Sequence, residues 1–399
     1  MQRAGNNGYH QIGAILRREW LRGTWQAGRQ CPTHAELQRR FQTTEVTIQR
    51  AMHLLVRQGF IETHLRRGRF LAARPPHEHQ YGLGFLGHPA DIGPAWSRFS
   101  LALFVAADAL SEAGLCRIRP YFDLGIETPG WGGEALSADI AAHCLRGVIF
   151  GDAPQALSHT PLLEHPQVPV VVPSTFVCPR ALHVGQSIKD GFGPCAMARA
   201  RADGFQRVGV LTVFGPAPER WRDIAERVGL QTQPAWIQGV DRFDRSWLRH
   251  GLEVVVGGAS RERPEVLVLT DDHLVDPAVE ELQRMKIRVP EDLVVIAHWN
   301  FPLPYTGALP VRLLGPDMRE FLRLAIQRVD EHLRGKPIPP DSSVPARFGE
   351  EIEAGTLSAC FQGLSCAQII DAIRVRETGR MEERPRRRGR RARREEAQQ

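Results

Sequence analysis

Thr33-His34-Ala35-Glu36-Leu37-Gln38-Arg39-Arg40-Phe41-Gln42-Thr43-Thr44-Glu45-Val46-Thr47-Ile48-Gln49-Arg50-Ala51 decides the reading of this chain. Thr33 with Glu36 three positions on forms a capping box, which predicts a helix as far as Phe41. Thr43-Thr44 supplies a turn and a second cap. A third helix then runs from about Glu45 to Gln58, with Val46, Ile48, Ala51, Leu54 and Leu55 as its buried side and Gly59 as its stop. Upstream, Ile12, Ile15, Leu16, Trp20 and Leu21 repeat at helical spacing between Tyr9 and Gly23. Downstream, residues 60–63 and 69–71 read as short strands joined by the basic tip His64-Leu65-Arg66-Arg67-Gly68. Three helices and a basic hairpin make a winged helix-turn-helix. In that arrangement the third helix enters a major groove, and the hairpin lies on a phosphate backbone or in the minor groove.

The charge distribution points the same way. The first 74 residues hold thirteen arginines, no lysine and four acids, a net +9, while the whole chain is +6. The last 29 residues hold eleven arginines and six acids, a net +5, which leaves the middle at −8. A basic head and tail around an acidic body imply that the head meets a polyanion, and the helix pattern makes it double-stranded DNA. The candidate contacts are Thr33, Thr44, Glu45, Thr47, Gln49 and Arg50 on the helices, with Arg66, Arg67, Gly68 and Arg69 on the wing. A helical bundle with a merely solvated basic face would not need this ordered cap, turn, helix and arginine-tipped hairpin.

Residues 9–73 resemble the N-terminal domain of GntR-family transcription regulators. The match runs through Tyr9-His10-Gln11-Ile12, Leu16-Arg17, Pro32-Thr33, Glu36-Leu37, Val46-Thr47-Ile48, Arg50-Ala51, Gly59-Phe60-Ile61 and Gly68-Arg69-Phe70-Leu71. That family usually has arginine at three base-contacting positions, where this chain has Ala35, Glu45 and Gln49. Arginine reads guanine, glutamine prefers adenine, and glutamate accepts only from cytosine. The resemblance therefore carries the fold and not the base code.

Residues 1–73 form the head, 74–80 read as a linker, 81–355 as the body, and 356–399 as a helix and an arginine-rich tail. Apolar strand-like runs fall at 81–86, 117–122, 147–150, 168–172, 208–213, 253–256, 266–269 and 293–297. Helical runs fall at 96–113, 193–203, 219–229, 277–286 and 318–333. Continuous apolar strands between amphipathic helices predict an α/β body with parallel sheets covered on both faces. Gly82-Leu83-Gly84-Phe85-Leu86, Arg207-Val208-Gly209-Val210-Leu211, residues 266–272 and Arg288-Val289-Pro290-Glu291-Asp292-Leu293-Val294-Val295-Ile296 resemble the ligand-binding domain of LacI-type regulators. That domain is two-lobed and periplasmic-binding-protein-like. A GntR-type head on a LacI-type body is the arrangement of arabinose-repressor-like regulators.

In such a body a ligand sits at the carboxyl ends of the strands. That rule selects Trp96, Phe99, Arg220, Asp271, Asp272, Trp299 and Asn300. Aromatic faces with acids and amides suit a sugar or polyol. No catalytic motif is present. Gly82-Leu83-Gly84-Phe85-Leu86-Gly87 fits G-x-G-x-x-G, but it is itself the strand, so no dinucleotide cofactor is expected. His77-Glu78-His79 reads as solvated, and no metal is expected. Seven cysteines without a C-x-x-C pair suit a reducing compartment. The N-terminus lacks an apolar export segment and no run is long enough for a membrane. The expectation is a cytoplasmic, homodimeric repressor with a small-molecule effector. The rival readings are an enzyme or carbohydrate-binding protein with an incidental basic head, or a non-regulatory chromosomal protein. Residues 361–375 predict one helix, and the eight arginines within 384–394 a disordered segment that adds phosphate contacts.

Overall fold

The computed structural model describes residues 8–125, 131–158, 160–164, 166–186, 191–213, 218–258, 263–339, 342–352 and 357–380. The head comprises α1 (Gly8–Leu21), α2 (His34–Phe41), α3 (Glu45–Gln58) and the antiparallel pair β1 (Ile61–His64) and β2 (Gly68–Leu71). The capping box at Thr33 and Glu36 closes in both directions. The segment before α2 adds a third edge to the wing, since Cys31 N–H donates to Arg69 O and Leu71 N–H to Arg29 O. Against α1 and α2, α3 buries Ile48, Ala51, Met52 and Leu55. Val46 is not in that core and is 54% exposed, while Leu54 is only half-buried. Two residues turn an α-helix by about 200°, so once Ile48 faces inward Val46 must face out.

The body contains two six-stranded sheets. The first is built from β3 (Gln80–Gly84), β4 (Arg117–Tyr121), β5 (Gly147–Phe150), β6 (Val170–Pro173), β7 (Leu182–Gln186) and the late β13 (Ser343–Val344). Its order is β13-β7-β6-β5-β3-β4, with every pair parallel. The second is built from β8 (Val208–Val213), β9 (Ile237–Val240), β10 (Val266–Leu269), β11 (Val294–His298), β12 (Arg312–Gly315) and β14 (Arg347–Phe348). Its order is β14-β12-β11-β10-β8-β9, antiparallel only at β14. The chain passes between sheets after β7, after β12 through the helix Met318–Leu333, and between β13 and β14. This is a two-lobed α/β body with repeated crossings. The central strands are wholly buried because helices cover both faces, which explains their unbroken Val/Leu/Ile runs.

Three readings of the sequence are corrected. Residues 253–256 are not a strand but the end of the helix Arg245–Val256. Their β-branched composition suggests a strand, yet Leu248, Leu252 and Val255 recur at helical spacing and Asp244 caps the start. The segment 74–80, read as a linker, is itself folded. Pro76–His79 forms a helical turn, Pro75 and Pro76 are buried, and Gln80 already belongs to β3. His77 and His79 are half-buried there, and desolvation holds both imidazoles below their usual pKa. Finally, the predicted C-terminal helix lies at 366–380 and is part of the body's core. Phe361, Ile369, Ile370 and Ile373 pack in the cluster that contains the helix Arg98–Glu112. Arg376 also bridges to Asp108 of that helix, while Cys366 donates to Pro304 O near the second lobe. The arginine run at 384–394 lies outside the described residues.

Candidate DNA interface and ligand cleft

On α3 the outward residues are Glu45, Val46, Gln49, Arg50 and His53, all exposed. Thr44 caps the helix by accepting from Thr47 N–H, and the two hydroxyls lie 2.9 Å apart. Thr33 accepts from Glu36 N–H at 3.3 Å, and Glu36 accepts from Thr33 N–H at 2.8 Å. Both capping threonines thus have a structural task. A capping hydroxyl still has its own proton to donate outward. Among the described residues no acid lies within salt-bridge distance of Arg50 and no cation within that distance of Glu45.

The wing turns tightly. Arg66 takes a left-handed φ of 65° and Gly68 a φ of 95°, while Arg67 N–H donates to His64 O at 3.1 Å. Glycine removes the Cβ penalty at the second of these positions. Arg66 and Arg67 are exposed, with Arg67 lying over the Phe70 ring at 5.7 Å. Arg69 differs from them: it is half-buried, and its Nη1 is 2.9 Å from His34 Nε2. It braces the wing against the first turn of α2. Two exposed apolar residues lie on this surface, Val46 and, at the wing tip, Leu65, which is 90% exposed.

At the strand ends of the second lobe Asn300 bonds Asp272 beside Asp271, while in the first lobe Trp96 precedes and Phe99 lies in the first turn of the helix Arg98–Glu112. Trp96 is half-buried and meets Phe85 edge-on at 5.5 Å, so part of its ring is core and part is free. Phe99 meets Phe321 edge-on at 5.4 Å. Asp271 caps the turn Asp272–Leu274 by accepting from His273 N–H, and Arg242 lies 3.6 Å from it. Asp272 is buried and accepts from Asn300 Nδ2 at 2.7 Å. Burial pushes its carboxyl up to about 6, against the opposing help of that hydrogen bond.

Two predicted ligand residues stand elsewhere. Trp299 is 1% exposed, with its indole N–H held by Leu303 O at 2.8 Å and its ring edge-on to Tyr305. It fills the core and presents no face to the cleft. The indole is large and apolar enough to serve either place, and residue type alone does not separate them. Arg220 is exposed in the first turn of the helix Pro218–Arg227, and no described contact joins it to the acids.

The structure adds residues that strand-end reasoning missed. Arg98 begins the helix after β3, with its guanidinium mostly buried and Nη2 3.7 Å from Asp276 of the second lobe. Its Nε and Nη1 have no hydrogen-bond partner, and neither do His273 Nε2 and Asn300 Oδ1. Arg98 lies between the two aromatics Trp96 and Phe99, but its partner Asp276 is in the other lobe, so the strand-end rule gives no sign of its role. His298, the last residue of β11, is desolvated and its pKa falls to about 4. Opposite, Ser100 donates to Asp152 Oδ1 at 2.6 Å, and Leu86 N–H donates to Asp152 Oδ2. Asp271, Asp272 and His273 bring three ligand-type atoms within 4.8 Å of one another. Asp272 is already engaged by Asn300, and the nearby Arg98 charge opposes a cation, so the group suits a polar organic ligand better than a metal.

Residues 8–71 match the bacterial regulatory proteins of the gntR family, and residues 199–348 match the periplasmic binding protein-like domain. No curated protein matches the chain. Among solved structures it is similar to the Escherichia coli transcriptional repressor ascG, at 17% identity over 70% of this chain and 100% of that one, with a TM-score of 0.48. It is also similar to a LacI family transcriptional regulator from Mycobacterium smegmatis, at 16% identity over 66% of this chain and 96% of that one, with a TM-score of 0.43. A regulatory protein of LacI family from Chloroflexus aggregans shares 13% identity over 67% of this chain and 96% of that one, with a TM-score of 0.49. The chain therefore joins a gntR-family DNA-binding head to a periplasmic binding protein-like body.

Proposed function

We propose that this protein is a DNA-binding transcription regulator, a repressor, whose state is set by a sugar- or polyol-like effector held between its lobes. α3 reads bases through Glu45, Gln49 and Arg50, with Thr47 beside them, while Arg66 and Arg67 hold phosphates. It acts as a homodimer in the cytoplasm, because one head reads only a half-site and pairing two doubles the contacts.

The observation that carries the effector reading is the set of buried, unpartnered polar atoms at the lobe junction: Arg98 Nε and Nη1, His273 Nε2 and Asn300 Oδ1. Buried polar atoms are nearly always hydrogen-bonded, and those without partners call for an explanation. The set offers donors and acceptors side by side. A hydroxyl both accepts and donates, so vicinal hydroxyls match it, with the free part of Trp96 against their C–H faces. To regulate, the ligand must bind the open and closed bodies unequally.

The test has two stages. DNA bound by the full chain is selected from a random pool. A panel of sugars, polyols and sugar acids is then screened for thermal shift and for change in operator affinity. One class should raise the melting temperature and alter operator binding. Arg98→Gln should abolish that response and leave DNA binding intact. If no ligand moves either reading, the body is a dimerisation module and the sensor assignment fails.

A further inference from the structure

We propose that the wing does more than hold a phosphate: Leu65 is a wedge that enters the minor groove and kinks the operator. The inference rests on the reading of the head as DNA-binding and adds to it an activity, DNA bending. The loop between β1 and β2 is three residues long, Leu65-Arg66-Arg67. Its shape is fixed by the left-handed Arg66, by Gly68 and by the bond from Arg67 N–H to His64 O. The tip carries Leu65 with 90% of its surface in water. It is the most exposed large apolar residue among those described.

Nothing in the fold accounts for a leucine there. It touches no core, and a hairpin tip of this kind ordinarily takes polar or glycine residues. What surrounds it is cationic: Arg66 and Arg67 are exposed, and Arg69 is braced behind them by His34. That charge commits the tip to an anionic partner. A nucleic-acid duplex offers phosphates to the arginines, but phosphates offer nothing to a leucine. The only apolar surface within reach is the stacked bases, exposed at the groove floor when a step unstacks. Apolar side chains inserted in this way bend duplexes toward the major groove by about 20–90°. Flexible pyrimidine–purine steps open most easily, so the wedge would favour such a step at a fixed distance from the bases read by α3.

The experiment uses the full chain and an operator selected from random DNA, with bending measured by circularly permuted fragments in gels and by end-to-end fluorescence transfer. Wild-type complexes should be bent by tens of degrees. Leu65→Ser should lose most of that bend, and Leu65→Met should keep it. Because the residue is almost wholly exposed, the melting temperature of either variant should equal that of wild type. Equal bends for wild type and Leu65→Ser, or a straight wild-type complex, overturn the wedge but leave the head a DNA-binding domain. Failure to recover any bound DNA overturns both. Loss of self-association in Leu65→Ser with the bend unchanged would assign the tip to a second copy of the chain and also overturn the proposal.

Discussion

Head and body treat their arginines in opposite ways. In the body most are neutralised at home: Arg119 by Asp139, Arg146 by Asp330, Arg207 by Glu265, Arg249 by Glu281, Arg288 by Asp292, Arg328 by Glu331 and Arg376 by Asp108. In the head only Arg40 finds an acid, Glu19, among the described residues. Arg18, Arg22, Arg29, Arg39, Arg50, Arg57, Arg66 and Arg67 are exposed without one. Charge paired within the fold contributes little to partners. Charge left open raises the potential of the surface and draws counterions or a polyanion. The body's interior also holds unmet hydrogen-bonding capacity, and Arg98, His273 and Asn300 supply half of its orphaned atoms among the described residues. Each half of the molecule leaves unsatisfied the groups suited to its own partner.

The largest expected effect is at Asp272. Its carboxyl titrates near ~4 in an unfolded chain and at about 6 in the fold. Below pH ~4 both states hold the proton and burial costs nothing extra. Between those values only the unfolded chain has lost it, so stability falls as pH rises, and above about 6 the full cost persists. Asp272→Asn should therefore stabilise the chain by up to about 3 kcal/mol at pH 8 and by almost nothing at pH 4. Urea unfolding at the two pH values measures this. An equal effect at both would show that the carboxylate is not held against its solvation.

Next in size is Gln49→Ala. It should flatten preference at one operator base pair by roughly 1–3 kcal/mol, read by competition between single-base operator variants. A uniform loss over all variants would demote Gln49 to a backbone contact. Trp96→Ala should weaken effector binding by at least about 0.5–1.5 kcal/mol in calorimetry without changing operator selection. The smallest effects form a matched pair. Arg67→Ala should lower the slope of log affinity against log salt by about one unit. Arg249→Ala, which removes a body ion pair, should leave the slope unchanged and cost less than about 1 kcal/mol of stability. Equal slopes for the two variants would erase the distinction between open and neutralised arginines.

Much of the head was legible because its signals are local. A threonine three residues before a glutamate, a glycine stop and a period of 3.6 each depend only on near neighbours, and the caps at Thr33 and Thr44 form where expected. Val46 was misplaced because an apolar residue beside the buried stripe looks like part of it until the helix is given its angle. In the body the buried central strands were plain from composition. The edge strand β9 and the mixed-composition strands β7 and β12 were not, since half-buried strands lack a continuous apolar run. The strand-end rule points to the lobe junction but does not name all the polar groups that gather there. Trp299 turns inward, and Arg98 gives no sign of its role in the sequence, because that role depends on Asp276 in the other lobe. A contact between positions so far apart in sequence leaves no periodic trace. The same holds for the C-terminal helix: its isoleucines predicted a helix, but not that it would complete the packing around Arg98–Glu112. A truncation meant to spare the body should begin after residue 380, because Glu377 is buried and paired with Arg376 and Arg380.

The folded joint at residues 75–80 has a consequence for the operator. The head's core extends into the body through Ala142 and Cys144, and Pro76 and Arg117 lie beside Gly59. A head on a slack tether could reach half-sites at many separations, trading reach for a modest loss of effective concentration. A head seated on its own lobe has no such latitude. In a dimer the distance between the two reading helices would then be set by how the bodies meet. Inserting or removing base pairs between half-sites should abolish tight binding, even though every contacted base is kept.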